Sequence, residues 1–506
     1  MVVKFVEMAK QLKLAAVQRA NGKLSEASFK RIRLLNGVYL QLHAHMLRVG
    51  VVCGVLCARQ LRALALVSCK YDRGVFHVTT RQNVQLNWLS AWDAVKASEA
   101  LAKFELCSAR TAGCCVRHIT CDPLHDVGVD QTADVAAVVK TLTASLTFNA
   151  SLTRLPKKVK VCVWSGSQDR VLGLFHDVGV RLAREWAYVT VGGGLGREPA
   201  AGCKLVKLRT NALARWLIAF LKVYAALASS SARCLRTKAL VASLGKATIV
   251  KLTKPAAERV VCDGHVGARS SGLESVSIAA SASTISWPSS DEFERWYAAN
   301  TLPHKLERLR IVEIGCSAQR APPGDVTAGD VEALATAAQR YSMDEARLTA
   351  SQTIVLPYVS ATNLKSVHAL CAEFEVTGVA CCPGADYCAL ASARSILVAQ
   401  KLALLKCGLQ IRVSGCVNAC SHHHVFDIGV IGVNKAGLEA YQLVAGGSAP
   451  AGALCRVLCR ALPAFKVAAA VARYAALIRC LKKDSFESAH ACFARHAISL
   501  GKRASS

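Results

Sequence analysis

Four cysteines carry the first chemistry visible in this sequence. Cys382-Pro-Gly-Ala-Asp-Tyr-Cys388 and Ser414-Gly-Cys416-Val-Asn-Ala-Cys420 place two thiol pairs at C-x5-C and C-x3-C spacing in one stretch of chain. Four thiolates around one centre bind a soft metal. Structural zinc sites favour short arms, whereas iron–sulfur clusters accept wider ones, so the spacings point to a cluster ahead of a zinc knuckle. Against this stands the chance reading, because the chain has 23 cysteines and accidental pairs are expected.

A second set of residues is cationic. Arg48, Arg81, Arg117, Lys158 and Lys160 all lie in the first part of the chain. The run Val159–Trp164 is expected to be a strand, which puts Lys158 and Lys160 on one face. Two neighbouring cations repel unless an anion lies between them. Lysines on a solvent-facing edge strand are the plain alternative, but together with a cysteine site an anion-binding pocket is the better account. The run Val191-Gly-Gly-Gly-Leu-Gly196 offers backbone N–H groups to an anion. It lacks the following helix and acid of a dinucleotide fingerprint. Of His422, His423 and His424, at most one is expected to face a site.

The elements that must hold these residues repeat. Helix is expected over the first forty residues, a strand over Leu35–Val49, helix over Arg59–Lys70, a strand over Val75–Trp88 and helix over Ala91–Phe104. Tyr71–Leu86 aligns without a gap on Tyr341–Leu356 at an offset of 270, with Tyr, Thr, Gln and Leu coinciding. Asp177–Val180 then matches Asp427–Val430, and Ala187–Gly194 matches Ala440–Gly447. Matches in the same order make a duplicated unit, and the period is far too long for a solenoid. The copies differ in chemistry: the first holds the cations, whereas the second has Ser351 in place of Arg81 and alone carries both cysteine pairs. Ser-rich stretches at Ala228–Ser231 and Ser270–Ser277 mark the joint, read as a connecting helical segment and a linker.

Length and composition bound the class. A chain of 506 residues with 53% hydrophobic residues has ample core for several domains. Lys222 and Arg473 interrupt the longest apolar runs, and Met1–Lys10 lacks the apolar region of a signal peptide, so a cytoplasmic protein without membrane spans is expected. A reducing compartment leaves thiols free for metal. The net charge of +29 is spread along the chain without a nucleic-acid module, so it suits an anionic substrate, an anionic cofactor or an acidic electron carrier.

Thr79-Thr-Arg-Gln-Asn-Val-Gln85, Leu155-Pro-Lys-Lys-Val-Lys160, Val191–Gly196, Cys382-x5-Cys388 and Ser414–Cys420 stand in the order found in sirohaem-containing sulfite and nitrite reductases. The chain resembles that family from about Arg31 to about Gly447, looking like the haemoprotein (beta) subunit of assimilatory sulfite reductase and more closely like the single-chain bacterial nitrite/sulfite reductase type. The resemblance implies an internally duplicated α+β fold, with ferredoxin-like half-domains plus two sirohaem-binding α/β domains. The corresponding boundaries are 1–110, 111–225, a connecting segment 226–310, 311–380 and 381–506.

The resemblance further implies a sirohaem whose iron shares a thiolate with a [4Fe-4S] cluster. Cys382, Cys388, Cys416 and Cys420 would be the cluster ligands, with Cys420 shared. Arg48, Arg117, Lys158 and Lys160 would bind the substrate oxyanion and supply protons. Arg81, Gln85, Asn418 and the glycines Gly192, Gly193 and Gly194 would contact sirohaem. Six-electron reduction of sulfite is the implied reaction, with electrons from ferredoxin or a separate flavoprotein and no role for nucleic acid. Nitrite reduction, precorrin-3B synthase and a non-catalytic zinc- or RNA-binding protein are the alternatives; Lys160 argues against the synthase. Val417 and Ala419 stand where the family commonly has Pro and Gly. Alanine forfeits glycine's access to positive φ, so strain is expected beside Cys420.

Overall fold

The computed structural model describes residues 2–230, 235–258, 291–318, 321–484 and 487–503. The Ser270–Ser277 stretch read as linker lies outside the described residues.

Four five-stranded sheets form two like pairs. The first ferredoxin-like sheet runs Val38–Leu40, His45–Gly50, Asn83–Leu89, Val75–Val78 and Asp325–Thr327. Its counterpart runs Thr301–Pro303, Leu309–Ile314, Ile354–Ser360, Ala346–Leu348 and Val55–Leu56. Each sheet borrows its last strand from the other half, Asp325–Thr327 pairing with Val75–His77 and Val55–Leu56 with Ala346–Arg347. Helices Ala58–Tyr71 and Ala328–Tyr341 pack together, and residues of both halves fill one continuous core. The exchange ties the two copies together, because neither sheet is complete without the other.

The two larger sheets share one topology. Thr120–Cys121, Val161–Ser165 and Val178–Ala183 are parallel, followed by antiparallel Trp186–Val191 and Cys203–Arg209. Val379–Cys381, Ile411–Ser414 and Ile428–Lys435 are likewise parallel, followed by antiparallel Leu438–Ala445 and Arg456–Leu462. Central strands Val161–Ser165 and Ile411–Ser414 are buried along their whole length. That is why they read as short apolar runs rather than alternating ones.

Hydrogen bonds show what the repeat preserves. Gln82 donates through Nε2 to the carbonyls of Cys121 (2.8 Å) and Leu348 (3.0 Å), and accepts from the Cys121 amide (2.9 Å). Gln352, at the offset of 270, donates to the Val78 carbonyl (2.8 Å) and accepts from the Cys381 amide (2.7 Å). Both take positive φ, 55° and 61°. Asp177 receives the Lys160 amide at 2.9 Å and Asp427 the Gln410 amide at 2.8 Å. The glycine match shifts by one residue, because the amides of Gly192 and Gly446 make the equivalent 3.0 Å bonds to the carbonyls of Asp177 and Asp427.

Several elements differ from the sequence expectations. The single strand expected over Leu35–Val49 is a hairpin, Val38–Leu40 against His45–Gly50, closed by the Gln41 amide on the Ala44 carbonyl. Val75–Trp88 is also a hairpin, turned at Gln82. Helix Thr237–Glu258 packs on the strands Trp186–Val191 and Cys203–Arg209, so the start of the 226–310 segment extends the first large domain. The second ferredoxin-like sheet begins at Thr301, ahead of 311. Among the described residues one helix is long and apolar enough to cross a membrane, within Thr210–Ser229. Its Trp216, Leu217, Phe220, Leu221 and Tyr224 are buried in the core of the first large domain.

Candidate active site

Cations from the first copy converge around Tyr39. Arg48 lies opposite Gln85 on the paired strands, and Gln85 Oε1 accepts from its Nε (3.1 Å) and Nη2 (2.8 Å). Arg117 is anchored by Nε on the Gly113 carbonyl at 3.0 Å. Tyr39 joins the two arginines, its hydroxyl accepting from Arg117 Nη1 at 3.2 Å and Arg48 Nη1 at 3.5 Å. Arg48 also lies over the Tyr39 ring, 5.0 Å from its centroid. Burial alone would raise the Tyr39 pKa, but the charges of Arg48, Arg117 and Lys158 outweigh it and hold the phenol below its usual value. Sequence reasoning missed Tyr39, which sits in the run taken as one strand; the only available signal was its place two residues beyond Gly37 and one turn before Arg48.

Lys158 and Lys160 precede the strand Val161–Ser165 rather than lying in it, but they do share one locale with the arginines. Lys160 is lowered to about 7 by burial first, then by Arg81 and Lys158. Lys158 is lowered by burial and by Arg117. Negative charge on Cys420 would oppose both shifts, so its sulfur is an electrostatic neighbour of both ammonium groups. Arg81 is lowered to about 10 by burial and by Arg117, with Nη1 at 2.8 Å from His176 Nε2 and Nη2 donating to the His118 carbonyl at 2.7 Å. So many depressed cations in one place mark a site built for anions.

The second copy brings its cysteines to the same place. Thr80 Oγ1 donates to the Cys420 carbonyl at 2.7 Å, joining the Thr79–Gln85 segment to the Ser414–Cys420 loop. Cys420 is an electrostatic neighbour of Cys382 and Cys416, and Cys416 of Cys388. Cys382 accepts from the Gly415 amide at 3.2 Å, and its pKa is pushed up to about 12, mainly by burial. Buried thiols of this kind ionise when a metal compensates the charge. Among the described residues no three His, Cys, Asp or Glu converge closely enough to hold one ion. Four thiols carried on two neighbouring loops are the donor set that an iron–sulfur cluster takes.

The other expected sirohaem contacts have partners within the protein. Gln85 orients Arg48, and Asn418 hydrogen-bonds Cys416 through its backbone and side chain. The expected glycine cradle is largely spent, because the Gly192 amide binds Asp177 and the Gly194 amide binds the Ala200 carbonyl. A Cβ on Gly193 would stand 2.2 Å from the Leu174 carbonyl oxygen, so close packing explains that glycine. Of the three histidines, His422 faces the cations Lys160, Arg81 and Arg412. His423 and His424 contact one another at 3.0 Å, and His424 contacts the Gly196 carbonyl. Both ring nitrogens of His118 and Nδ1 of His422 are buried without a partner. Orphaned polar atoms beside a cation cluster fit a bound polycarboxylate such as sirohaem. Ala419 takes φ 53°, the strained conformation expected from its replacement of glycine.

Repetition also shows a related position with different chemistry. The amides of Asp122 and Cys382 bind the equivalent carbonyls of Val163 and Val413, both at 3.1 Å. Arg170 and Cys420 precede Asp177 and Asp427 by the same number of residues. A 3.1 Å ion pair, Arg170–Asp122, therefore stands where the other copy has two of its cysteines. Beside it lies a cavity of about 800 Å³ lined by Ser351 and Gln410, the counterparts of Arg81 and Lys160. Of the two related positions, one brings cations and thiols together among the described residues.

Comparison with known proteins agrees with this arrangement. The nitrite/sulfite reductase ferredoxin-like half domain matches residues 40–104 and 319–374, one match on each sheet of the interlocked pair. The nitrite and sulphite reductase 4Fe-4S domain matches residues 112–260. The chain belongs to the nitrite and sulfite reductase family. Members are oxidoreductases of nitrogen and sulfur oxyanions that carry sirohaem and a [4Fe-4S] cluster. Its relatives include a ferredoxin–nitrite reductase of Synechococcus elongatus, 26% identical over 79% of this chain and 80% of the relative. A sulfite reductase [ferredoxin] of Mycolicibacterium paratuberculosis is 23% identical over 81% of this chain and 74% of its own. The solved structure of Mycobacterium tuberculosis NirA protein shares the fold, with TM-score 0.77 and 18% identity over 94% of this chain and 91% of that one.

Proposed function

We propose that this reductase acts on sulfite. The carrying observation is the group Arg48, Arg117, Lys158 and Lys160, whose lysines are depressed by burial and by neighbouring cations. Such a group gains most from the ligand with the most negative charge, which favours sulfite, whose dianion is well populated near neutral pH, over the nitrite monoanion. Nitrite is the second reading, favoured by the ferredoxin–nitrite reductases among the relatives.

Cys382, Cys388, Cys416 and Cys420 would hold the cluster beside sirohaem, and the two groups would pass the donor's electrons on for the six-electron reduction. The protein's own residues bind and orient the anion and deliver protons as each oxygen leaves as water. Arg48 and Arg117, fixed by Gln85, Gly113 and Tyr39, offer pre-oriented donors to oxygen. Lys160, lowered to about 7, gives and regains a proton near neutral pH. Arg81 and the unpartnered His118 provide contacts for sirohaem carboxylates. Electrons come from ferredoxin or a separate flavoprotein, and a cytoplasmic setting suits such a donor. Steady-state turnover with sulfite and nitrite side by side tests the reading: a higher kcat/KM with sulfite supports it, and a higher value with nitrite replaces it with the second.

A further inference from the structure

Cys420 sits where the two copies meet, and the residue before it is strained. Ala419 takes φ 53°, a conformation from which alanine gains by relaxing towards negative φ. A thiolate shared between two groups tolerates little such movement, so the turn needs an anchor. Downstream, Ser421 is tied to its own copy: Ser414 Oγ lies 2.8 Å from Ser421 Oγ and accepts from the Ser421 amide at 3.3 Å, and Ser421 Oγ donates to the Val413 carbonyl. Cys420 itself is held from the other copy, because its carbonyl accepts from Thr80 Oγ1 at 2.7 Å.

Thr80 is a firm support. It sits at the tip of the hairpin turn Thr79–Asn83, closed by the Thr79 amide on the Asn83 carbonyl (2.8 Å) and the Gln82 amide on the Thr79 carbonyl (3.0 Å). The Thr79 hydroxyl accepts from the amides of Arg81 (3.3 Å) and Asn83 (3.1 Å), and the Gln82 side chain anchors the turn on Cys121. Thr80 is only 8% exposed, so little water competes for its hydroxyl. The same tip carries Arg81, whose guanidinium is a contact for sirohaem carboxylates in the proposed function. One rigid turn thus holds both Arg81 and the Cys420 carbonyl.

The other copy supplies the control. Its turn Thr349–Thr353 has the same frame, with the Thr349 amide on the Thr353 carbonyl (3.0 Å), the Gln352 amide on the Thr349 carbonyl (3.2 Å) and the Thr349 hydroxyl accepting from the amides of Ser351 (3.1 Å) and Thr353 (3.2 Å). At its tip Ala350 and Ser351 stand in place of Thr80 and Arg81. Both line the cavity together with Arg170, the counterpart of Cys420. The shared frame therefore carries a hydroxyl at its tip where the cysteine loop docks, and a methyl where the Arg170 loop stands. A hydroxyl needed only to build the turn would be present in both. We propose that Thr80 is a positioning residue whose hydroxyl, through the Cys420 carbonyl, sets where the Cys420 sulfur stands between cluster and sirohaem. This rests on Cys420 as the shared ligand of the proposed function, and it holds for either oxyanion.

The test uses the purified, cofactor-loaded enzyme as wild type, as Thr80→Val, which keeps the size and removes the hydroxyl, and as Thr80→Ser, which keeps the hydroxyl. Iron and sirohaem content, the electron paramagnetic resonance signals that report coupling of cluster and sirohaem, and turnover with reduced methyl viologen are measured on each. Thr80→Val should keep both cofactors, show altered coupling signals and lower kcat about tenfold, the scale of one lost buried hydrogen bond, with KM for the oxyanion within twofold. Thr80→Ser should return the wild-type signals, with kcat within twofold. Wild-type signals in Thr80→Val overturn the proposal even where turnover falls. Loss of either cofactor in Thr80→Val makes the hydroxyl an element of assembly and overturns it as well. So does a Thr80→Ser enzyme that behaves as Thr80→Val, because the hydroxyl then does not suffice. Uncoupled signals in the wild type overturn the shared place of Cys420 and this proposal with it. A wild type with coupled signals that reduces neither sulfite nor nitrite overturns the proposed function alone, and the signals of the two variants still decide the role of Thr80.

Discussion

Replacing Lys160 by methionine should make the cofactor-free protein more stable while abolishing the activity of the cofactor-loaded enzyme. Folding places this ammonium beside Arg81 and Lys158, and its pKa falls from 10.5 to about 7. The unfolded chain holds the proton to about pH 10.5, whereas the folded chain releases it near 7. Stability therefore rises with pH between these values and is flat below 7. At about 1.36 kcal/mol per pH unit the full separation costs about 4 kcal/mol at pH 7. Lys160 is only part-buried against the open site, and solvent screening reduces this to about 2 kcal/mol. Methionine fills a similar volume without charge. Denaturant melts of cofactor-free Lys160→Met should show a gain of about 2 kcal/mol at pH 7 that shrinks steadily towards pH 10. A variant less stable at pH 7, or a gain independent of pH, would refute the claim that this lysine is held against an unfavourable cationic field. In the loaded enzyme the same variant should lose sulfite turnover and keep its cofactor spectrum.

Tyr39→Phe removes the oxygen shared by Arg48 and Arg117, and should raise KM for sulfite about tenfold with bound cofactor unchanged, measured by steady-state kinetics. Gln352→Ala breaks the buried bonds to Val78 and Cys381 that join the copies, and should destabilise the protein by about 3 kcal/mol in denaturant melts. Ala419→Gly relieves a φ of 53°, worth about 1–2 kcal/mol, against a similar loss from backbone entropy and the buried methyl. Melting should therefore barely change, whereas a loss above about 2 kcal/mol would show that the alanine methyl, and not the turn, dominates there. Cys420→Ser should abolish electronic coupling between cluster and sirohaem, and a wild-type spectrum and turnover would remove Cys420 from its shared place.

Much of the fold could be read from the residues because the repeat is anchored by side chains with a structural task. Gln82 and Gln352 coincide at the offset of 270 because each satisfies a buried backbone amide of a large domain, a role few other side chains fill. Asp177 and Asp427 coincide because each accepts the backbone amide of the residue just ahead of a central strand. The strand exchange was not legible: Val55–Leu56 and Asp325–Thr327 are too short to show any periodicity, and their partners lie far along the chain. The glycine register slipped by one because runs of identical small residues align equally well in either frame. At the site, charge and thiol chemistry announced Arg48, Arg117, Lys158, Lys160 and the cysteines. Tyr39 carries no such signature; only its two guanidinium partners reveal it.

The central claim is that cations of one copy and thiolates of the other meet at Cys420 to hold one sirohaem and one iron–sulfur cluster. Iron, sirohaem and zinc content of the purified protein, read with its visible spectrum, tests this most directly. The account predicts sirohaem absorption, with iron in the proportion of one [4Fe-4S] cluster to one sirohaem per chain. A colourless protein carrying zinc in the cysteines would contradict it.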